Sequence, residues 1–162
     1  MKRLLLVFMV VALVVGLMAV PALAAKKDNP ANDKLGTLYL YEKDADWNIV
    51  WGGAWGKMNF KLVDGNIDFV FNGHGLNKKT GYSLIYYPEP QTTWPHPVQV
   101  LASGKSNKGG NIHLAGSADL GVSSGIKIWL VLSDDINDAG ALAGWNPTEY
   151  LFEHNLIPNP DS

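Results

Sequence analysis

Oxygen ligands crowd one stretch of the sequence, where Asp134, Asp135, Asn137 and Asp138 stand almost side by side. Hard carboxylate and amide oxygens at such spacing are what Ca²⁺ takes. Read as an EF-hand loop from Asp135, Asn137 and Gly140 fit the third and sixth positions. Ala139, however, falls where a ligand belongs, and Asn146 where the bidentate glutamate belongs, so that motif fails. A looser calcium site is one reading of the cluster. The other is a solvated acidic turn whose side chains cap local backbone groups. The histidines offer less. His74, His96, His113 and His154 form no His-x-x-x-His pair, and without cysteine a blue-copper ligand set is excluded. His113 alternates with Ile112 and Leu114 and is expected on the opposite face of their strand. A His74–His113 pair with Asp119 could hold a metal, but the spacing does not require it.

Nucleophilic chemistry finds no support. Ser103, Ser106, Ser117, Ser123 and Ser124 fall in polar loops or at strand ends, and no Gly-x-Ser-x-Gly elbow occurs. Paired carboxylates for glycoside hydrolysis would have to come from Glu42, Glu89, Glu149, Glu153 and the aspartates. A small β domain spends so few glutamates on capping and solvation, so the chain is expected not to be an enzyme. The aromatics are more suggestive. Trp47, Trp51 and Trp55 cluster before the Met58 strand, and Trp94 stands in Thr93-Trp94-Pro95-His96-Pro97. A rigid loop presenting Trp offers a flat apolar face to sugar rings or to a protein partner. Trp51, Trp55 and Trp94 are therefore the candidate ligand-binding residues. Gly52, Gly53 and Gly56 would equally let the loop lie back, turning these side chains into lids over the core.

The elements that must position these residues read as strands. Met58, Phe60 and Leu62 alternate with Lys57, Asn59 and Lys61, and Ile67, Phe69 and Phe71 follow after Asp64-Gly65, the preferred pair of a tight hairpin. Thr37 to Tyr41 and Tyr82 to Tyr87 are further strands. Val98 to Ala102 and Asn111 to Gly116 flank a polar loop and suggest a longer hairpin. Ile126 to Ser133 is apolar on both faces except at Lys127, the pattern of a central, doubly covered strand. Asn146-Pro147-Thr148-Glu149 has the composition of one helical turn, near 147–150. Tyr150 to Ile157 closes the fold as a strand. The expected class is all-β, an antiparallel Ig-like or fibronectin-like β-sandwich of about seven to nine strands over residues 36–157.

The ends fix an address. Lys2 and Arg3 precede an uncharged apolar run from Leu4 to Val20, followed by Pro21-Ala22-Leu23-Ala24-Ala25. Small residues at Ala22 and Ala24 suit signal peptidase, so residues 1–24 read as a signal peptide cleaved after Ala24. The run approaches the length of a membrane span, and an uncleaved anchor is the alternative; no other membrane contact is expected. Residues 25–35 read as a flexible leader and 158–162 as a tail. With no cysteine, neither lipid attachment nor disulfides are available, and an aromatic-rich core must carry stability. Removing Lys2 and Arg3 leaves 11 basic against 15 acidic side chains, a net charge near −4. Such a surface lacks the cationic cluster whose counterion release drives nucleic-acid binding.

Two resemblances accompany this reading. Leu76, Thr80 and Tyr82 stand at the spacing of the tyrosine corner of fibronectin type III domains, with Lys78 where that motif has Pro. The resemblance implies a Tyr hydroxyl tied to upstream backbone. More broadly, Gly53-Ala54-Trp55-Gly56-Lys57-Met58, Phe69-Val70-Phe71-Asn72-Gly73-His74-Gly75-Leu76, Trp129-Leu130-Val131-Leu132-Ser133-Asp134-Asp135 and Gly144-Trp145-Asn146-Pro147-Thr148-Glu149-Tyr150-Leu151-Phe152-Glu153 resemble an uncharacterised family of exported prokaryotic domains. That resemblance spans roughly residues 36–157 and implies a secreted β domain without an assigned activity. The expected function is a secreted, periplasmic or cell-surface binding module for an extracellular protein or glycan. Carbohydrate binding through the loop Trp residues is the narrower alternative, and a small exported hydrolase or metal-binding protein a third. No cofactor is expected beyond the calcium that the acidic cluster could take.

Overall fold

The computed structural model describes residues 34–157; the expected signal segment, all but the end of the leader, and the tail lie outside the described residues. The fold is all-β and antiparallel. In chain order its strands are β1 (Lys34–Tyr41), β2 (Trp55–Val63), β3 (Asn66–His74), β4 (Gly81–Tyr86) and β5 (His96–Pro97). There follow β6 (Gln99–Lys105), β7 (Ile112–Asp119), β8 (Ile128–Leu132), β9 (Ala141–Leu142) and β10 (Leu151–Glu153). Eight strands form one sheet in the order β6-β4-β8-β10-β1-β2-β3-β7, while β5 pairs with β9. The count exceeds seven to nine only through β5 and β9, which at two residues each are too short to carry a periodic signal. β1 opens at Lys34, taking in the last two residues of the expected leader, because Lys34 and Leu35 already pair with Leu62 and Lys61.

The β2–β3 hairpin follows its pattern closely. Asp64 and Gly65 have φ of 48° and 83°, both left-handed, as a type I′ turn requires, and Val63 pairs with Asn66 across them. Met58, Phe60, Leu62, Ile67, Phe69 and Phe71 turn inward, and Asn59, Lys61, Asp68 and Val70 face out. The inward set meets Leu38, Leu40, Leu84, Leu114, Ile128 and Leu130 in the main core.

The sheet folds over so that its edges meet. Gln99 Nε2 donates to the Asp119 carbonyl at 2.9 Å, joining β6 to β7, and Leu114 packs against Gly104. The two strands expected as a long hairpin are thus neighbours, but each forms its ladder elsewhere, β6 with β4 and β7 with β3. The loop between them is closed by Asn107, whose carbonyl and side chain accept from Gly110, Gly109 and Asn111 N–H groups.

β8 is buried on both faces, as its continuous apolar run implies. Ile128 and Leu130 enter the main core. Trp129 and Val131 join Ile85, Tyr87, Leu142, Tyr150 and Phe152 in a second core on the outer face. The β5–β9 pair and the segments around it cover that face, giving the molecule its sandwich-like layering. Pro147–Glu149 forms a single 3₁₀ turn. Asn146 does not cap it; its amide is committed to Asp135 instead. At the start of β4, the Tyr82 hydroxyl accepts from the Asn77 N–H at 3.3 Å.

Candidate functional site

The second core is not fully covered, and its open end is an aromatic cleft of about 800 Å³. Tyr87, Trp129 and Phe152 form its floor. Tyr87 stacks on Trp129 with centroids 4.0 Å apart, and Phe152 meets Trp129 edge-on at 5.1 Å. The rim comes from three separate loops: Trp47 between β1 and β2, Trp94 between β4 and β5, and Trp145 after β9. These side chains are 52%, 51% and 46% exposed, so half of each large apolar surface is left in water. Two lysines close the sides. Lys43 lies over the Trp47 and Phe152 rings at 5.5 and 5.9 Å. Lys127 is ion-paired with Glu89 and lies 6.0 Å from the centroid of Tyr87. The Lys127 hydrogen bond holds the Glu89 carboxyl below the usual range.

Trp47 is held there at a cost. Its φ is 64°, a left-handed conformation that bulky residues avoid. The Asp44 carboxylate imposes it by accepting from the N–H groups of Asp46 and Asn48 at 2.9 Å each, while the Asp44 carbonyl takes the Trp47 N–H. The turn presents the indole against Phe152 at 4.9 Å.

The polar heart of the cleft is Glu153 at the end of β10, beside Trp129 on β8. Burial pushes the Glu153 carboxyl up to about 7; its own N–H, Lys43, Lys127 and the Trp129 indole pull it back only in part. The indole faces the carboxyl without closing a hydrogen bond. Trp129 Nε1 and Glu153 Oε2 are both buried and both without a partner. Trp129 is only 7% exposed.

The candidate residues of the sequence are dispersed. Trp94 is on the cleft rim. Trp51 and Trp55 lie on the outer face of β1 and β2, with Tyr39 and Tyr41, around a shallower depression of about 410 Å³. Trp51 leans on Tyr41 at 5.8 Å and is 79% exposed, and Trp55 packs on His74 at 4.8 Å. None of Trp47, Trp51, Trp55 and Trp94 is a buried lid. The acidic cluster also separates. Asp135 turns inward to accept from Tyr150 Oη at 2.5 Å and from Asn146 Nδ2 at 2.9 and 3.0 Å. Asn137 caps its own turn, accepting from the Ala139 and Ala141 N–H groups, and Asp134 and Asp138 face solvent.

His74 and His113 pair with Asn111 and Asn72 on the outer face of β3 and β7, whereas Asp119 lies at the far end of β7, opposite Asn66. Among the described residues, no group of three or more His, Cys, Asp or Glu side chains is placed to hold a metal ion. Tyr87, Trp129, Trp145 and Phe152 carry no site signal in the sequence, and Glu153 stands there only among the carboxylates weighed for hydrolysis. Their only local signal is the alternation of Phe152 with Glu153, which says nothing about what covers them. No protein-family model, curated protein or solved structure matches the chain.

Proposed function

We propose that this chain is an exported binding module that takes a carbohydrate in the aromatic cleft. The observation that carries the reading is the rim: three Trp side chains from three loops stand half-exposed around an 800 Å³ cleft with an aromatic floor. A chain that needed them only for stability would bury them, since each fully buried aromatic side chain contributes on the order of 2–3 kcal/mol. Sugar rings present flat C–H faces that stack on such surfaces, with hydroxyls at their edges for polar groups like those of Glu153 and Lys43. The volume lies within the range of small-ligand sites. Export rests on Lys2, Arg3, the Leu4–Val20 run and the small residues before Ala25.

Glycan-array screening followed by calorimetry tests the proposal. Binding should be lost in Trp94→Ala and Trp145→Ala and kept in Trp51→Ala, which lines a separate depression. Binding that survives both cleft substitutions removes the cleft from the function. A second reading draws on Trp51 itself, whose exposure beside Trp55, Tyr39 and Tyr41 suits a protein partner docking flat on β1 and β2. That reading requires the opposite result, with Trp51→Ala abolishing binding to the partner and Trp94→Ala leaving it intact.

A further inference from the structure

The cleft already contains a cation that no carboxylate answers. Lys43 is half-buried on the cleft wall, with its ammonium over the Trp47 and Phe152 rings. Among the described residues it forms no ion pair, whereas Lys127, the other lysine of the cleft, is committed to Glu89. Glu153 feels the Lys43 charge, but burial keeps its carboxyl mostly protonated below pH 7, so it supplies little counter-charge there. The seat that an aromatic cage would offer to a ligand's ammonium is thus taken by the protein's own.

This arrangement selects a chemistry. A ring stacked in the cleft beside Trp47 takes water away from Lys43 Nζ, and an ammonium that loses water without gaining a partner is costly. A neutral sugar offers it only hydroxyl oxygens. A carboxylate or sulfate offers a full counter-charge and a charge-assisted hydrogen bond, roughly twice as strong as a neutral one. The attraction has to be local, because the chain after residue 24 carries 11 basic against 15 acidic side chains and does not draw anions as a whole. We infer that the cleft takes an acidic saccharide, one bearing a carboxylate or sulfate group, and that Lys43 binds that group and sets the preference over neutral sugars. This rests on the carbohydrate reading above and narrows it to one class of glycan.

Calorimetric titration of the purified protein at pH 6 tests the inference, with hexagalacturonate, a sulfated carrageenan hexasaccharide, cellohexaose and hexaglutamate as probes. At least one acidic hexasaccharide should bind about tenfold or more tightly than cellohexaose, and which of the two does so identifies the anionic group. Lys43→Met, which keeps an apolar stem over Trp47 and Phe152, should weaken that binding by about tenfold and leave cellohexaose unchanged. Lys43→Arg should recover most of the loss. Added NaCl should weaken acidic-sugar binding to the wild type and barely affect Lys43→Met.

Thermal unfolding checks that each variant is folded. Should Lys43→Met not fold, the wild type carries the test, and acidic-sugar binding indifferent to NaCl overturns the inference. Failure of every hexasaccharide, or hexaglutamate binding as tightly as the acidic sugars, overturns the carbohydrate reading itself. Cellohexaose binding as tightly as the acidic sugars, or an acidic sugar held equally well by folded Lys43→Met, overturns the acidic-saccharide inference alone.

Discussion

Glu153→Gln should stabilise the protein at alkaline pH and do almost nothing in acid. In the unfolded chain a glutamate titrates near 4.5, whereas burial in the cleft raises the folded value to about 7. The native state therefore holds this proton more tightly than the unfolded state does. Its contribution to stability is fully present below pH 4.5 and is lost as pH rises through 7. At about 1.4 kcal/mol per pH unit, the full difference is roughly 3 kcal/mol. The cleft is open on one side, so solvent screens part of it, and a change of about 1–3 kcal/mol is expected.

Gln cannot ionise, so the variant escapes this loss. Urea unfolding of both proteins from pH 4 to pH 9 measures the difference directly. The two curves should coincide near pH 4, separate between pH 5 and 7, and run parallel above pH 8 with the variant more stable. A difference that does not change with pH, or a variant less stable at pH 8, would refute the reasoning. The latter result would mean that Lys43 or Lys127 ion-pairs with the carboxylate strongly enough to outweigh burial.

Gly144→Ala should cost at least about 2 kcal/mol in thermal or urea unfolding. A Cβ there would stand 1.9 Å from Asp135 Oδ1, and that carboxylate anchors Tyr150 and Asn146. Stability equal to wild type would show that the anchor can shift without penalty. Trp47→Asn should leave unfolding free energy within about 1 kcal/mol of wild type while abolishing ligand binding. The relief of a left-handed Trp offsets the lost Phe152 contact, and Asn tolerates that conformation. A large destabilisation would make Trp47 a packing residue instead. Millimolar CaCl₂ or EDTA should leave Tm unchanged, since the Asp135 carboxylate is spent on Tyr150 and Asn146. A rise in Tm with calcium would restore the acidic loop as a metal site.

Much of the sheet is legible in the sequence because its signals are local. The β2–β3 hairpin needs only alternation and the Asp64-Gly65 pair, and β8 only an unbroken apolar run. The edge-to-edge meeting of β6 and β7 is not legible, because an alternating strand does not say which neighbour takes its hydrogen bonds. The site is less legible still. Trp47, Trp94, Trp129 and Trp145 come from four distant segments, and only the covering of β8 brings them together. Trp47 and Trp51 are close in sequence yet line different depressions, because the Asp44 turn reverses the chain between β1 and the Trp51 loop. Asp135 reads as a metal ligand by composition alone. Its hydrogen bonds to Tyr150 and Asn146 depend on chain that lies further along, which no local spacing encodes.

The placement of β10 has a consequence for how the molecule comes into being. The first strand of the described fold and the last are neighbours near the middle of the sheet, Tyr41 opposite Phe152, and β10 is also the link to β8. Without Leu151–Glu153 the sheet is two half-sheets, β6-β4-β8 and β1-β2-β3-β7, which meet at β6 and β7 but each leave an open edge where β10 should be. Such long-range closure is slow and comes late. The residues that close the sheet include Phe152 and Glu153, so the cleft does not exist in any partly assembled chain. Completion of the sheet and formation of the cleft go together.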